Sequence, residues 1–148
     1  MKKAYFTLLL FTISMAAFSH TSSKEYDFTI VFVGAFDNDI ISLSINKKPL
    51  LNRYRLENTQ PVNKGNLSLT QSGKELKIYY NGQETARTRI KVGFIVDVDV
   101  SINNRTKKLK VDLRKGKIIL IDYRNNETET SGLKSIAIEQ MHEPVILM

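Results

Sequence analysis

Residues 90–123 read IKVGFIVDVDVSINNRTKKLKVDLRKGKIILIDY, and the alternation within them decides the fold. Apolar side chains occupy every second position of residues 90–102, whereas Asp97 and Asp99 fall between them. A period of two places the two sets on opposite faces of a β-strand. Because the run is long for one strand, we expect a bend or bulge at Gly93.

A two-residue turn at Asn104-Arg105 is expected to fold this strand back on residues 107–113. Valine and leucine then meet at every step, in the pairs Val100–Leu109, Val98–Val111 and Val96–Leu113. The pairs expected on the other face are Asp99–Lys110 and Asp97–Asp112. A slip by one residue would set valines against lysines, so the register is strongly specified.

A second turn at Lys115-Gly116 is expected to bring back a third strand, residues 118–121, which is apolar on both faces. The expected pairs are Leu113–Ile118 and Val111–Leu120. A strand that is apolar on both faces is usually central and covered on both sides. Ile119 and Ile121 then need a second cover, and the nearest free apolar material is the C-terminal segment. We therefore predict that this segment returns and packs over or beside residues 117–124.

The rest of the chain also has the pattern of short strands. Alternation predicts a strand over residues 25–34, and hairpins are expected around Lys47-Lys48, around Ser72-Gly73 and at Asn81-Gly82, with a polar edge strand at residues 84–89. The pairs expected in the first two hairpins are Ile45–Leu50, Ile41–Tyr54, Leu69–Leu76 and Leu67–Ile78. No helix of ordinary length is indicated. The chain is therefore predicted to be all-β, an antiparallel β-sandwich, immunoglobulin-like or similar, of about eight to ten strands. A partly closed barrel is the alternative.

The first 19 residues have the pattern of a secretory signal peptide. Lys2 and Lys3 precede an apolar stretch, and small residues at positions 17 and 19 form a plausible cleavage site. Residues 20–148 would then form a single domain, exported to the periplasm or the cell exterior, with no transmembrane span after cleavage. The chain has no cysteine, which excludes disulfides, a lipid-bearing cysteine and cysteine-based metal sites.

The chain is basic, with 22 Lys and Arg against 15 Asp and Glu, and much of the excess lies in residues 105–117. Lys108 and Lys110 are therefore candidates for binding a polysaccharide or another anionic surface. The alternative is that these lysines protect a sheet edge from aggregation. A nucleic-acid partner is not expected, because no aromatic residues are interleaved with the lysines.

Asp37-Asn38-Asp39 is the candidate cation site, because two carboxylates and an amide between strands suit Ca²⁺. The alternative is a turn in which these side chains bind their own backbone. The strand register predicts a second acidic cluster, formed by the side chains of Asp97, Asp99 and Asp112.

Three aromatic residues are candidates for stacking on a sugar ring: Phe36, Tyr79 and Tyr123. Tyr79 and Tyr123 fall on the parity opposite the predicted core residues of their strands. The alternative is that each of the three covers a further apolar layer. His142 is the one histidine of the predicted mature chain beyond its first residue, and no nucleophile motif accompanies it.

These features favour an exported, non-enzymatic β-sandwich that works as a binding or protein-interaction module of the periplasm or cell surface. A carbohydrate-binding module that uses Ca²⁺ is the first alternative. A small hydrolase based on His142 is the second.

Overall fold

The computed structural model describes residues 26–34, 36–57, 67–125 and 134–142, in which it shows strands and no helix. The strands of these residues are β1 (Phe28–Val33), β2 (Asp39–Ile45), β3 (Lys48–Leu56), β4 (Leu67–Ser72), β5 (Glu75–Tyr80), β6 (Gln83–Arg89), β7 (Ile95–Ile102), β8 (Arg105–Asp112), β9 (Ile118–Asn125) and β10 (Lys134–Met141). The predicted signal peptide, residues 1–19, and the end of the tail, residues 143–148, lie outside the described residues.

The strands form two sheets that pack against each other, which confirms the predicted β-sandwich. The six-stranded sheet has the order β10-β9-β1-β4-β5-β6, and the four-stranded sheet has the order β3-β2-β7-β8. Neighbouring strands are antiparallel apart from β1 and β9, which run parallel. The sheets do not close into a barrel.

The core lies between the sheets and is filled by alternate side chains from both. The residues of β1 and β7 that fill its centre are Phe28, Ile30, Phe32, Val96, Val98, Val100 and Ile102. Each large aliphatic side chain that is fully buried contributes about 1.5–3 kcal/mol to the free energy of unfolding. The period-two pattern of the sequence therefore supplies most of the stabilising contacts.

The hairpin of β7 and β8 turns one residue earlier than predicted. Asn103 and Asn104 form the turn, with φ angles of 47° and 68°. Two-residue hairpin turns of this kind need positive φ at both positions, which asparagine tolerates better than arginine. The pairs are Val96–Val111, Val98–Leu109, Asp97–Lys110 and Asp99–Lys108, so the predicted partners are wrong but every side chain keeps its predicted face. The break near Gly93 is confirmed, because β7 begins at Ile95.

The predicted hairpin between residues 113 and 118 is wrong. β9 does not pair with β8, but lies in the other sheet between β1 and β10. Gly116 in this connection packs against the tail, where an added Cβ would lie 2.5 Å from the carbonyl oxygen of Met141. Because the chain changes sheet here, Ile119 and Ile121 face the core, and Ile118 and Leu120 are half-buried on the outer face.

The return of the C-terminal segment is confirmed for its described part. β10 pairs with β9 in antiparallel fashion along its whole length and therefore lies beside it. Ile136 of β10 is buried in the core.

The remaining hairpins form as predicted, with corrections of register. The β2–β3 turn is Asn46-Lys47, which sets Ile45 opposite Lys48, and bulges further along restore the predicted Ile41–Tyr54 pair. The β4–β5 turn is Gly73-Lys74, so the pairs are Leu69–Ile78 and Leu67–Tyr80. The Asn81-Gly82 turn and the polar, exposed edge strand β6 are confirmed.

The gap between the sheets at β3 and β6 is closed by side chains. Lys48 Nζ donates to Thr88 Oγ1 at 3.1 Å and to the carbonyl oxygen of Arg89. The rings of Tyr54 and Tyr80 meet edge to face, with centroids 6.0 Å apart. These contacts tie the edge of the four-stranded sheet to the edge region of the other.

The opposite gap, between β8 and β10, is bridged by two cations, and we call it the β8–β10 seam. Arg105 Nη1 donates to the carbonyl oxygen of Lys134 at 2.6 Å. Lys107 Nζ donates to the carbonyl oxygen of Ile136 at 3.0 Å. Both side chains lie on the core-facing side of β8 and reach across to the edge of β10.

Candidate functional site

The outer face of the four-stranded sheet is the candidate site, because small polar side chains leave a shallow depression at its centre. The depression has a volume of about 190 Å³. The polar side chains that line it are Ser42, Ser44, Asn52, Asp99, Ser101 and Thr106. The Ser42 hydroxyl accepts the N–H of Arg53 at 3.1 Å, whereas Ser44 and Ser101 make no side-chain hydrogen bond to any described residue. Their hydroxyls are therefore available to a ligand.

Two turn asparagines hold β2 and β7 together beneath this face. Asn46 Oδ1 accepts the N–H of Asp97 at 2.9 Å, and Asn103 Oδ1 accepts the N–H of Ile40 at 2.9 Å. The N–H groups of the same asparagines donate to the carbonyl oxygens of Asp97 and Ile40. Each turn thus caps the neighbouring strand, so the floor of the depression is held at both ends.

Lys108 and Lys110, both predicted site residues, lie side by side on the β8 margin of this face. Lys108 Nζ is 3.8 Å from Asp99 Oδ2, and its side chain is 73% exposed. An ion pair of this exposure contributes little to stability. Lys110 lies opposite Asp97 and forms no ion pair with a described residue. The predicted cluster of Asp97, Asp99 and Asp112 does not form, because the corrected register pairs the first two with lysines.

An exposed aromatic cluster lies at the end of the sandwich where β7 begins, between the two sheets. Phe94 and Ile95 are 43% and 42% exposed. The Phe94 ring contacts the Tyr26 ring edge to face at 6.3 Å, and the Arg114 guanidinium lies 4.3 Å from its centroid. Sequence analysis missed this cluster because parity assigned Phe94 to the core. Phe94 pairs with Leu113 and faces the other sheet as parity predicts, but it lies at the end of the sandwich, where the core does not cover it. The break at Gly93 was the signal that the strand ends there.

Asp112 holds the arginine of this cluster in place. Its carboxylate accepts hydrogen bonds from Arg114 Nε at 2.8 Å and from Nη2 at 2.7 Å. These side-chain bonds lower the pKa of Asp112 from 3.8 to about 2. The guanidinium is therefore fixed over Phe94 across the physiological pH range.

The predicted cation loop forms a turn that binds its own backbone. Asp39 Oδ2 accepts the N–H of Asp37 at 2.9 Å, Oδ1 accepts from Asn103 Nδ2, and Lys134 Nζ lies 3.9 Å from Oδ2. Asn38 has φ of 54°, as a tight turn requires. The described residues contain no group of three His, Cys, Asp or Glu side chains that could hold a metal ion. Calcium binding at this loop stays a prediction.

Phe36 and Tyr123 are not exposed stacking platforms, and for both the alternative, that they cover an apolar layer, is confirmed. They are 2% and 5% exposed, and their rings stack in the core with centroids 6.3 Å apart. Tyr123 faces inward because β9 changes sheet, which reverses its parity relative to the prediction. Lys134 Nζ lies 5.2 Å from the centroid of the Tyr123 ring and covers its outer side.

Tyr79 lies far from the other predicted site residues. It is half-buried on β5, between Ser68 and Glu84, in the six-stranded sheet. Among the predicted ligand-binding residues, the structure thus brings Lys108 and Lys110 together on the surface and Phe36 and Tyr123 together in the core. Asp37, Asn38 and Asp39 form a separate turn.

His142 is exposed at the bend after β10. Within the described ranges, no hydrogen bond or ion pair joins it to a serine or an acid. In the same part of the chain, no helix is long and apolar enough to cross a membrane.

Comparisons of the chain with protein-family models, with curated proteins and with solved structures gave no match.

Proposed function

We propose that the chain is an exported, non-enzymatic β-sandwich that binds a protein partner on the outer face of its four-stranded sheet. The observation that carries this proposal is the composition of that face. It combines hydroxyls at Ser44 and Ser101, which no described residue binds, with an exposed basic margin, and the Phe94 cluster lies next to it at the end of the sandwich. Aromatic residues and arginine are enriched at the centres of protein interfaces.

The face offers several kinds of side chain along one strand. Ile95 and Ser101 of β7 are six positions apart, which corresponds to about 20 Å at 3.3 Å per residue. Ile95 supplies an apolar side chain, Asp97 and Asp99 supply carboxylates, and Ser101 supplies a hydroxyl. A standard interface buries about 800 Å² on each partner, so a partner would also contact surface beyond the four strands.

Export is supported by the signal-like pattern of residues 1–19. N-terminal sequencing of the protein recovered from outside the cytoplasm is expected to begin at His20. A protein that retains Met1 and stays in the cytoplasm would contradict export.

Site-specific photo-crosslinking in the native cell tests the binding face. A benzophenone amino acid at Ser44 is expected to give an adduct of discrete mass. The same amino acid at Tyr79, on the six-stranded sheet, is the matched control and is expected to give none. Adducts from Tyr79 but not from Ser44 would overturn the choice of face.

The hydroxyl-lined depression also supports a second candidate, a carbohydrate-binding module. Serine hydroxyls and the Asp99 carboxylate are suitable partners for sugar hydroxyls. The buried positions of Phe36 and Tyr123 remove two of the three stacking platforms that this reading needed. Glycan-array binding that is lost in Ser44→Val, together with a melting temperature raised by Ca²⁺, would favour this candidate over the protein partner.

A further inference from the structure

Three of the four strands that end the two sheets carry features that hinder further pairing. β3 carries Pro49 and breaks its register with β2 near Arg53, which has φ of 50°. β6 shifts its register beside Ile78, and the Arg89 carbonyl is taken by Lys48. The carbonyls of β10 at positions 134 and 136 are taken across the β8–β10 seam. Bulges, proline and covering side chains are the usual means of protecting a sheet edge.

β8 carries charged side chains, but it has no proline or bulge, and no side chain of a described residue covers its backbone groups between Thr106 and Lys110. At its end, the carbonyl oxygen of Asp112 accepts a hydrogen bond from Gln140 Nε2 at 2.6 Å. Its register with β7 runs without interruption from the Ile95–Asp112 pair to the Ile102–Arg105 pair. The N–H of Leu113 donates to the carbonyl oxygen of Phe94 at 2.7 Å, which fixes the direction of the ladder. Odd-numbered residues of β8 therefore direct their backbone groups toward β7, and even-numbered residues direct theirs away from it.

The other outward-directed backbone groups of β8 belong to Thr106, Lys108 and Lys110. No hydrogen bond from another described residue reaches them. These three residues are exposed, and their side chains lie on the outer face of the sheet. A continuous run of unpaired donors and acceptors is thus in reach of a second chain.

Charge and apolar surface define which chain could use this edge. Lys108 and Lys110 would repel a basic strand and attract one with carboxylates at matching alternate positions. The weak pair of Lys108 with Asp99 can be exchanged for such a carboxylate. On the core-facing side, Leu109 is 38% exposed because no strand lies beyond it. An apolar side chain on the added strand would cover it.

We propose that β8 is a strand-addition site for an extended segment of a partner protein in which acidic and apolar residues alternate. This proposal rests on the proposed function and names the partner class for the same sheet. Main-chain hydrogen bonds to Thr106, Lys108 and Lys110 would hold the segment. Its acidic side chains would face the two lysines, and its apolar side chains would cover Leu109.

A synthetic peptide of about nine residues that alternates Glu and Val is a direct probe, since it matches the length of a typical strand. A peptide of the same composition with its glutamates in one block is the control. The alternating peptide is expected to slow amide exchange at Thr106, Lys108 and Lys110. The amides of Lys107 and Leu109 already point toward β7 and should change little. Unchanged exchange at the three outward amides would overturn the proposal.

Two substitutions at one position separate hydrogen bonding from charge. Lys108→Pro removes an outward N–H that the fold does not use, and proline is tolerated at such edge positions. Lys108→Thr removes the same charge and keeps the N–H. We expect Lys108→Pro to weaken peptide binding about tenfold more than Lys108→Thr, the usual effect of losing a hydrogen bond. Equal affinities of the two variants would overturn strand addition.

A modified probe keeps the test decisive where Lys108→Pro fails to fold. N-methylation of alternate backbone nitrogens blocks the ladder bonds from the peptide side and leaves the protein unchanged. This peptide is expected not to bind, and binding equal to that of the parent peptide would count against the proposal. Binding of polygalacturonate without binding of the alternating peptide would also overturn it. If the alternating peptide does not bind but the benzophenone at Ser44 still forms its crosslink, strand addition is wrong and the proposed function is retained.

Discussion

β8 and β10 end the two sheets on the same side of the sandwich, yet the backbone groups at their edges differ in how far they are hydrogen-bonded. The carbonyls of Lys134 and Ile136 on β10 are satisfied by Arg105 and Lys107. The outward backbone groups of Thr106, Lys108 and Lys110 on β8 receive no hydrogen bond from the described residues. One strand therefore protects its neighbour with its core-facing side chains and leaves its own edge open. Hydrogen bonds from individual side chains cover carbonyls of β10, whereas the edge of β8 carries exposed lysines and keeps its backbone groups open.

The largest effect is expected from a change in the core that unfolds the whole sandwich, including the edges of β8 and β10. Val98→Asp would place a carboxylate at a position of β7 that is 0% exposed, beside Leu109 of β8. An unpaired buried carboxylate costs several kcal/mol, which is comparable with the ~5–15 kcal/mol total stability of a domain. We expect the variant to be unfolded before denaturant or heat is applied, and therefore to show no cooperative unfolding transition in urea or on heating. Ser101→Asp, on the outer face of the same strand, is the control and should fold. A cooperative unfolding transition of Val98→Asp near the wild-type temperature would show that Val98 does not lie in the core.

The next effect distinguishes the backbone N–H groups of β8 that point toward β7 from those that point to solvent. Leu109→Pro removes an N–H that points toward β7, and it should destabilise the protein by about 1–3 kcal/mol. Lys108→Pro removes one that points to solvent and should cost less than about 1 kcal/mol. Urea denaturation of the pair measures the difference. Equal losses of stability would mean that the assigned ladder direction is incorrect.

A smaller effect is expected when the β8–β10 seam is opened. The double variant Arg105→Met, Lys107→Met removes two charge-assisted hydrogen bonds at a partly exposed site. We expect a loss of about 1–2 kcal/mol and concentration-dependent association through the uncovered edge of β10. Lys108→Met, Lys110→Met removes the same charge from the same strand and serves as the control in sedimentation experiments. Similar association of both double variants would indicate that charge alone keeps the protein dispersed.

The smallest effect concerns the end of β8. The pKa of Asp112 is lowered to about 2 by hydrogen bonds from Arg114. A carboxyl group whose pKa is lower in the folded state stabilises the fold above its unfolded pKa. This contribution should therefore disappear as the pH falls from about 4 to about 2. Carboxyl NMR titration of the wild type and of Arg114→Met measures it. An unchanged Asp112 pKa in the variant would rule out the arginine as the cause.

The sequence predicted which face each residue of β7 and β8 occupies, because burial of one face constrains the parity of a strand. It did not predict the register, because neighbouring registers of the same parity bury the same side chains. Turn chemistry decides between them, and adjacent positive φ angles at Asn103 and Asn104 select the observed one.

The path of the chain after β8 could not be obtained from local pattern. A glycine turn at Gly116 is compatible with a hairpin and with a change of sheet, and pairing with the distant strand β1 decides between them. Ile118, Leu120 and Tyr123 were therefore assigned to the wrong faces. At the candidate site, Lys108 and Lys110 were predicted from charge, whereas the serine depression and the Phe94 cluster depend on neighbours that only the sheet brings together.

The parallel pairing of β1 with β9 sets the order in which the chain can fold. Thr29 pairs with Ile118, and most of the described chain lies between them. The other neighbour of β1 is β4, which is also separated from it by the β2–β3 hairpin. Contacts between distant residues slow folding, because the intervening loop must be closed first. β1 is made before the other described strands, yet one of its two edges is among the last to be paired. Until β9 arrives, this backbone edge is open to chaperones and to other nascent chains.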